Sequence, residues 1–287
     1  MPRVIALLGH PVAHSLSPAF QQAALDALGI DARYEGWDVP PDELRIATER
    51  LRSGDLLGAN VTVPHKVAIM ALVDRPDALA ERVGAVNTIV NRHGILEATN
   101  TDVAGVLRAL EAAEVDVAGK RIALLGAGGA ARAVVVAMRQ AHAERVTVIN
   151  RTPGRASGLA ALGGDDFDLR YAPLDPNDGS FRSSLSTAAV VINSTSVGMA
   201  HGPAEGESPV PAGLVGEGQV AFDLVYTPER TPFLQDALDH GAQAVGGLAM
   251  LIHQGAEAFR LWTGAEPPVD VMTRIARAAL ALREHST

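Results

Sequence analysis

Lys66, Asn87 and Asp102 each stand beside a short apolar run, and each has a side chain able to move or steer a proton. In Gly58-Ala59-Asn60-Val61-Thr62-Val63-Pro64-His65-Lys66, polar and apolar residues alternate. A period of two puts Asn60 and Thr62 on one face of a strand and Val61 and Val63 on the other. Lys66 then falls at the strand's carboxyl end, where open α/β sheets bind ligands. There a lysine can exchange a proton or hold a developing alkoxide. The alternative is a solvated lysine at a helix start. Asn87 heads the run Thr88-Ile89-Val90, and Asp102 ends Asn100-Thr101-Asp102. If the runs around Asn91 to Gly94 form a hairpin, these polar groups converge near Lys66, and a carboxylate beside the ammonium would orient it. Asp102 also reads as the N-cap of a following helix.

A second group is Ser15 and Ser17 in Gly9-His10-Pro11-Val12-Ala13-His14-Ser15-Leu16-Ser17-Pro18. Hydroxyls spaced two apart before a helix suit a carboxylate, aided by backbone N–H groups. A plain capping motif, with Ser17 as N-cap and Pro18 at the first helical position, explains the same residues. His10, His14, His65 and His253 lack metal-ligand spacing with a carboxylate partner, so they read as structural and no metal is expected.

The third group is a glycine loop, Gly126-Ala127-Gly128-Gly129-Ala130-Ala131, between the apolar run Arg121 to Leu125 and a stretch rich in Ala and Val. Gly126 permits a tight turn, Gly128 lets backbone approach a pyrophosphate, and Ala131 allows close helix packing. The next apolar run ends in Asn150-Arg151-Thr152, with Arg155 beyond, where an NAD-binding chain usually has an acidic residue for the ribose hydroxyl. A guanidinium there suits a 2′-phosphate, so the expected cofactor is NADP.

These groups need elements to hold them. From Val4 onward, apolar runs alternate with helix-period segments, giving βαβα grammar and hence an α/β fold with a parallel sheet. The expected elements include a helix from Ser17 to near Gly29, strands at Ala32 to Val39 and Asn60 to Val63, and the pair Val86 to Val90 and Ile95 to Ala98. Beyond the glycine loop come a helix from Arg155 and strands at Leu169 to Pro173, Val190 to Asn193 and Val220 to Val225. From Leu248 the pattern is helical to the end and suited to pack on the first domain. The boundary falls within Asp102 to Leu110, giving a substrate-binding α/β domain over 1–104, a Rossmann-type NADP domain over 105–245, and C-terminal helices over 246–287. The Gly- and Pro-rich stretch Ala200 to Gly218 reads equally as a lid or as a tolerated insertion.

At 287 residues the chain suits two modest domains. Its net charge of -9 argues against nonspecific binding of nucleic acid or anionic membrane. Without cysteines, thiolate chemistry is excluded and redox chemistry must come from a cofactor. The start lacks a signal-peptide pattern and no apolar run is long enough to cross a bilayer, so a cytoplasmic location is expected. A homodimer is compatible with the sequence but not required by it.

Taken together, the motifs resemble the shikimate dehydrogenase family over nearly the whole chain. They are Pro11 to Pro18, Gly58 to Lys66, Gly84 to Thr88, Asn100 to Asp102, Gly126 to Ala131, Asn150 to Thr152, Asn193 to Met199, Asp223 to Tyr226, and Gly247 to Leu251 before Gln254. The resemblance implies NADPH-dependent, reversible reduction of 3-dehydroshikimate to shikimate in aromatic amino acid biosynthesis. It implies Lys66 and Asp102 as the catalytic pair, Ser15 and Ser17 with Tyr226 on the substrate carboxylate, and Thr62, Asn87 and Gln254 on its ring hydroxyls. For the cofactor it implies Gly126, Ala127, Gly128, Gly129, Ala130 and Leu224, with Gly247 and Met250 at the nicotinamide end and Asn150, Arg151, Thr152 and Arg155 at the 2′-phosphate. Gln21-Gln22 and Ala249 depart from the family's usual His or Asn and Gly. Quinate-using relatives share the core motifs, and Arg151 argues for the NADP-linked shikimate branch.

Overall fold

The computed structural model describes residues 2–164 and 166–284, so the first residue and the last three of the expected C-terminal helix lie outside the described residues. The chain divides into two compact units, one formed by residues through Gly105 together with those from Leu251 on, the other by Val106–Met250. No helix among the described residues is long and apolar enough to cross a membrane.

The first unit is built on strands β1 (Arg3–Gly9), β2 (Ala32–Asp38), β3 (Leu56–Val61), β4 (Arg75–Pro76), β5 (Thr88–Arg92) and β6 (Ile95–Thr99). They form one six-stranded sheet in the order β2-β1-β3-β5-β6-β4. Only part of it is parallel: β1 runs parallel to β2 and β3, while β5 is antiparallel to both β3 and β6. The hairpin turns at His93-Gly94, both at positive φ, where a glycine costs no Cβ strain. Its register pairs Thr88 with Thr99. Asn87 and Asn100, just outside the ladder, therefore emerge at the same end of the hairpin.

Strand β3 starts earlier than the polar alternation suggests and stops at Val61, before Thr62. Gly58 explains the early start. A Cβ there would stand 2.0 Å from the Ile89 carbonyl oxygen and 2.8 Å from Nε1 of Trp262, so only glycine lets β3 meet β5 beneath that indole. The core on one side of this sheet gathers Leu8, Leu51, Val61, Ile69, Ile89 and Leu96.

Helices α1 (Ser17–Ala27), α2 (Leu44–Arg50) and α3 (Ala78–Val83) intervene between the strands, and α4 (Asp102–Ala112) follows β6. Ser17 is the first residue of α1 rather than its cap: Leu16 holds the cap position, and the Ser17 N–H is satisfied by Oγ of Ser15 at 3.2 Å. The capping function expected of Ser17 has thus moved two residues upstream.

The second unit holds β7 (Arg121–Leu125), β8 (Arg145–Asn150), β9 (Asp168–Pro173), β10 (Val190–Asn193), β11 (Val220–Asp223) and β12 (Gln243–Val245). Every pair is parallel, in the order β12-β11-β10-β7-β8-β9. This is the doubly wound dinucleotide-binding order, with its reversal beside the first strand of the unit. Its helices are α5 (Gly129–Gln140), the short α6 (Pro153–Ser157) and α7 (Ala160–Gly163), α8 (Gly179–Ser186) and α9 (Pro232–Asp239). The segment from Ala200 to Gly218 has no regular element, yet Val210 and Val215 are buried among Phe181, Phe233 and Leu234. Two apolar anchors therefore tie it down, which a lid moving along its whole length would forfeit.

The last two helices are α10 (Gly247–Thr263) and α11 (Val269–Glu284), separated at Gly264 to Pro268. Proline at 267 and 268 cannot continue a helix. Trp262 of α10 donates from Nε1 to the Ile89 carbonyl at 2.8 Å, and α11 packs on α1, so α10 from Leu251 on and α11 belong to the first unit, while the first four residues of α10 belong to the second.

Candidate active site

Lys66 follows β3 in a tight turn whose backbone is pinned on two sides. The Thr62 N–H donates to the Leu8 carbonyl, and the Lys66 carbonyl accepts the N–H of Val86 at 2.7 Å. From there Nζ reaches Oδ2 of Asp102 at 2.5 Å, with side-chain exposures of 16% for the lysine and 3% for the aspartate. A pair this buried requires further hydrogen bonds on its charges, and Asn87 supplies one by donating from Nδ2 to the second Asp102 oxygen at 2.8 Å. The Asp102 N–H donates to Oδ1 of Asn100. The first backbone bond of α4 runs from Gly105 N–H to the Thr101 carbonyl, so the Asp102 carboxylate is spent on Lys66 and Asn87 rather than on capping.

Asn87 is the hub. Its Oδ1 accepts the Thr101 N–H at 2.7 Å and the Thr88 hydroxyl at 3.1 Å, while Nδ2 also faces Thr101 Oγ1 at 3.0 Å and Oε1 of Gln254 at 3.2 Å. Gln254 donates in turn to the Leu251 carbonyl one turn back in α10. Behind the hub, Nδ2 of Asn60 donates to the Asn87 carbonyl and to Thr88 Oγ1, and Oδ1 of Asn60 accepts the Tyr34 hydroxyl at 2.8 Å. Burial pushes the Tyr34 phenol well above its ordinary range, opposed by a hydrogen bond with Ser17. The structure thus joins Lys66, Asp102, Asn87 and Gln254 directly, and Ser17 with Ser15 through the α1 turn. Thr62 lies against Gly9, where its methyl would meet an added Cβ at 2.4 Å. His65 is buried with Nε2 2.6 Å from the Val39 carbonyl, and His10 pairs with Asp38 at 3.1 Å.

Tyr226 belongs to the second unit, as do the candidates for the cofactor. There Gly126 follows β7 at φ +103, and a Cβ on it would meet Ser194 Oγ at 2.8 Å and Thr195 Cγ2 at 3.0 Å. Glycine is required on both counts. Gly128 is the N-cap of α5 and has nothing within 4 Å of an added Cβ, so the backbone offers open space where the helix begins. With Ala127 alongside, and Gly129 and Ala130 opening the first turn of α5, this loop fits a pyrophosphate. At the end of β8, Asn150 donates to the Thr152 carbonyl at 2.8 Å, holding a turn from which Arg151, Thr152 and Arg155 are exposed. A Cβ on Gly247 would lie 2.5 Å from the Leu224 carbonyl oxygen, so the start of α10 closes tightly on Leu224, one turn before the buried Met250.

Under these loops lies Asp223, fully buried at the end of β11. It accepts from Thr231 Oγ1 at 2.6 Å, from Asn193 Nδ2 at 2.9 Å and from the Val225 N–H at 2.9 Å. Burial lifts its carboxyl to about 6 against the pull of those donors. Asn193 also accepts from Thr195, so Asp223 ties the turn beside Gly126 to the N-terminus of α9.

No motif singles out Tyr34. It sits in an ordinary alternation, Arg33-Tyr34-Glu35. Thr88 and Thr101 were signalled only as neighbours of Asn87 and Asp102.

A doubly wound sheet with a glycine loop, and a lysine–carboxylate pair held by amides, define a dinucleotide-dependent α/β dehydrogenase. Residues 7–89 match the shikimate dehydrogenase substrate binding domain, 108–200 match shikimate / quinate 5-dehydrogenase, and 247–277 match the shikimate 5'-dehydrogenase C-terminal domain. The chain is 48% identical over 280 residues to the shikimate dehydrogenase (NADP(+)) of Moorella thermoacetica, covering 96% of this chain and 93% of that one. It is 47% identical over 280 residues to the enzyme of that name from Symbiobacterium thermophilum, covering 97% and 95%. A crystal structure of shikimate 5-dehydrogenase from Thermus thermophilus in complex with NADP(H) and shikimate matches with a TM-score of 0.86 at 42% identity, covering 97% of this chain and all of that one. The chain belongs to the shikimate dehydrogenase family.

Proposed function

We propose that this protein reduces 3-dehydroshikimate to shikimate, reversibly, with NADPH as reductant. The observation that carries the reading is the ion pair between Lys66 Nζ and Asp102 Oδ2, buttressed by Asn87 at the end of the β5–β6 hairpin. NADPH supplies the hydride. Lys66 supplies the charge and the proton: an ammonium has three donors, and with one engaged by Asp102 the others can meet the carbonyl oxygen, hold it as negative charge develops, and protonate it. In the reverse direction the lysine takes that proton back. Asp102 fixes the direction of Nζ, and Asn87 fixes Asp102.

Ser15 and Ser17 hold the substrate carboxylate in this reading, with Tyr226 near it. The Ser15 oxygen already accepts the Ser17 N–H, which leaves its own proton to donate. Thr62, Asn87 and Gln254 address the ring hydroxyls. Gly126, Ala127, Gly128, Gly129 and Ala130 cradle the pyrophosphate. Asn150, Arg151, Thr152 and Arg155 hold the 2′-phosphate, and Leu224, Gly247 and Met250 border the nicotinamide. Substrate chemistry is assigned to 1–104, cofactor binding to 105–245, and the helices over 246–287 to the substrate domain. The reading extends to a cytoplasmic enzyme with small-molecule partners, neither nucleic acid nor membrane, and a homodimer is tested by sedimentation. The deciding experiment is a panel of shikimate and quinate with NADP and NAD, followed at the nicotinamide absorbance. Shikimate with NADP should give the highest kcat/KM; no turnover of that pair would overturn the reading.

A further inference from the structure

The loop bearing the two serines is fastened from the far end of the chain. Arg283, in the last turn of α11, donates from Nη1 to the His14 carbonyl at 2.5 Å and from Nη2 to the Ser15 carbonyl at 3.1 Å. Between β1 and α1 the loop is held at its start by the His10 N–H on the Val63 carbonyl and turned at its middle by the Ser15 N–H on the Val12 carbonyl. Arg283 connects the loop's centre to a packed helix, because α11 lies on α1. A guanidinium holds two acceptors in fixed geometry, which an ammonium does not. It also brings a positive charge to the residue whose hydroxyl is assigned to the carboxylate, in a chain of net charge -9.

We infer that Arg283 is a positioning residue for substrate, setting the Ser15 hydroxyl for the carboxylate by clamping the carbonyls of residues 14 and 15. The inference rests on the assignment of Ser15 to the shikimate carboxylate. It goes beyond the motif-bearing residues, since the C-terminal match ends at residue 277.

The test is steady-state kinetics of Arg283→Met, Arg283→Lys, Ser15→Ala and the Ser15→Ala/Arg283→Met double variant, with shikimate and NADP. Arg283→Met should raise the KM for shikimate roughly 3- to 10-fold, the scale of partly exposed charged contacts. Its kcat should fall by less, and the KM for NADP should stay put. Arg283→Lys keeps the charge but loses the fork, so it should recover only part of the loss. The double variant should be no worse than Ser15→Ala alone, because the clamp acts through Ser15. A shikimate KM unmoved in Arg283→Met, a parallel rise in the KM for NADP, or multiplicative losses in the double variant would overturn the inference. Partial unfolding lowers the active fraction and hence the apparent kcat, leaving the KM ratio readable. Wild-type protein that does not turn over shikimate overturns the activity reading and this inference together; active wild type with an unmoved KM overturns this inference alone.

Discussion

The hydroxyl of Tyr34 donates to Oδ1 of Asn60 across 2.8 Å inside the first unit, and Asn60 passes its own two donors to the Asn87 carbonyl and to Thr88. A phenol on one strand thereby fixes the amide that supports the hub of the candidate site. Tyr34→Phe removes the donor and leaves a buried oxygen unpaired, a loss of about 1–3 kcal/mol. The melting temperature should fall. The kcat/KM for shikimate should fall several-fold with NADP affinity retained, checked by calorimetry, kinetics and cofactor titration. A variant as stable and as active as wild type would show that Asn60 holds its place without Tyr34.

In the proposed mechanism, Lys66→Ala removes the proton donor and the charge at the reacting oxygen. The kcat should drop by roughly 10²- to 10⁴-fold, the usual worth of positioned proton transfer, while NADP binding by fluorescence titration stays near wild type. Turnover within a factor of about three of wild type, far outside that range, would assign the proton to another group.

Arg151→Asp exchanges the proposed phosphate partner for an acceptor suited to a ribose hydroxyl. The ratio of kcat/KM for NADP to that for NAD should move toward NAD by about tenfold or more, in line with a lost charge-assisted contact. Little movement in that ratio would mean that the neighbouring Arg155 or Thr152 reads the phosphate.

Asp223 gives a pH dependence of definite sign. Its carboxyl is raised to about 6 in the folded chain, so the folded state holds this proton more tightly than the unfolded chain does. Its contribution to stability is complete below the unfolded carboxylate range near pH 4 and is lost as pH rises through about 6. Asp74 and Asp168 run the other way, because the guanidinium groups of Arg52 and Arg170 hold their carboxyls low. Those terms are common to wild type and variant and cancel in the difference. Asp223→Asn should therefore gain on wild type between pH 4 and pH 7, by on the order of 2–3 kcal/mol at about 1.4 kcal/mol per unit. Calorimetric melting of both proteins across that range checks it. A constant difference would mean that the three donors around Asp223 cancel the effect of its burial.

Lys66, Asn87 and Asp102 were legible because each closes a short motif at a strand end, and β5 and β6 obey the turn chemistry of Asn91 to Gly94. Most of the parallel second sheet was legible because β7, β10 and β11 are short, largely apolar runs, whereas the three-residue β12 carries too little pattern to be found. What escaped has physical causes. The hairpin was expected from its turn residues, but its antiparallel pairing with β3 was not, because apolar alternation does not state direction. Helix α8, with Phe181 and Leu185 as its buried residues among serines, carries almost no periodic signal. Helix α9 could have been found, since Thr231-Pro232 is a capping pair. The Arg283 clamp is invisible to any local pattern, because its two acceptors are backbone carbonyls at the opposite end of the chain.

The polar interior of the first unit also has a sense of direction. Tyr34 gives to Asn60, Asn60 gives to Thr88, Thr88 gives to Asn87, and Asn87 gives to Asp102. Two of these links are carboxamides, whose N–H groups donate without ionising near neutral pH. The chain of bonds is therefore an insulator: it transmits position but conducts no charge. Under the proposed mechanism, a proton spent by Lys66 has to be replenished from the open side of its ammonium, which couples turnover to the medium there rather than through the core.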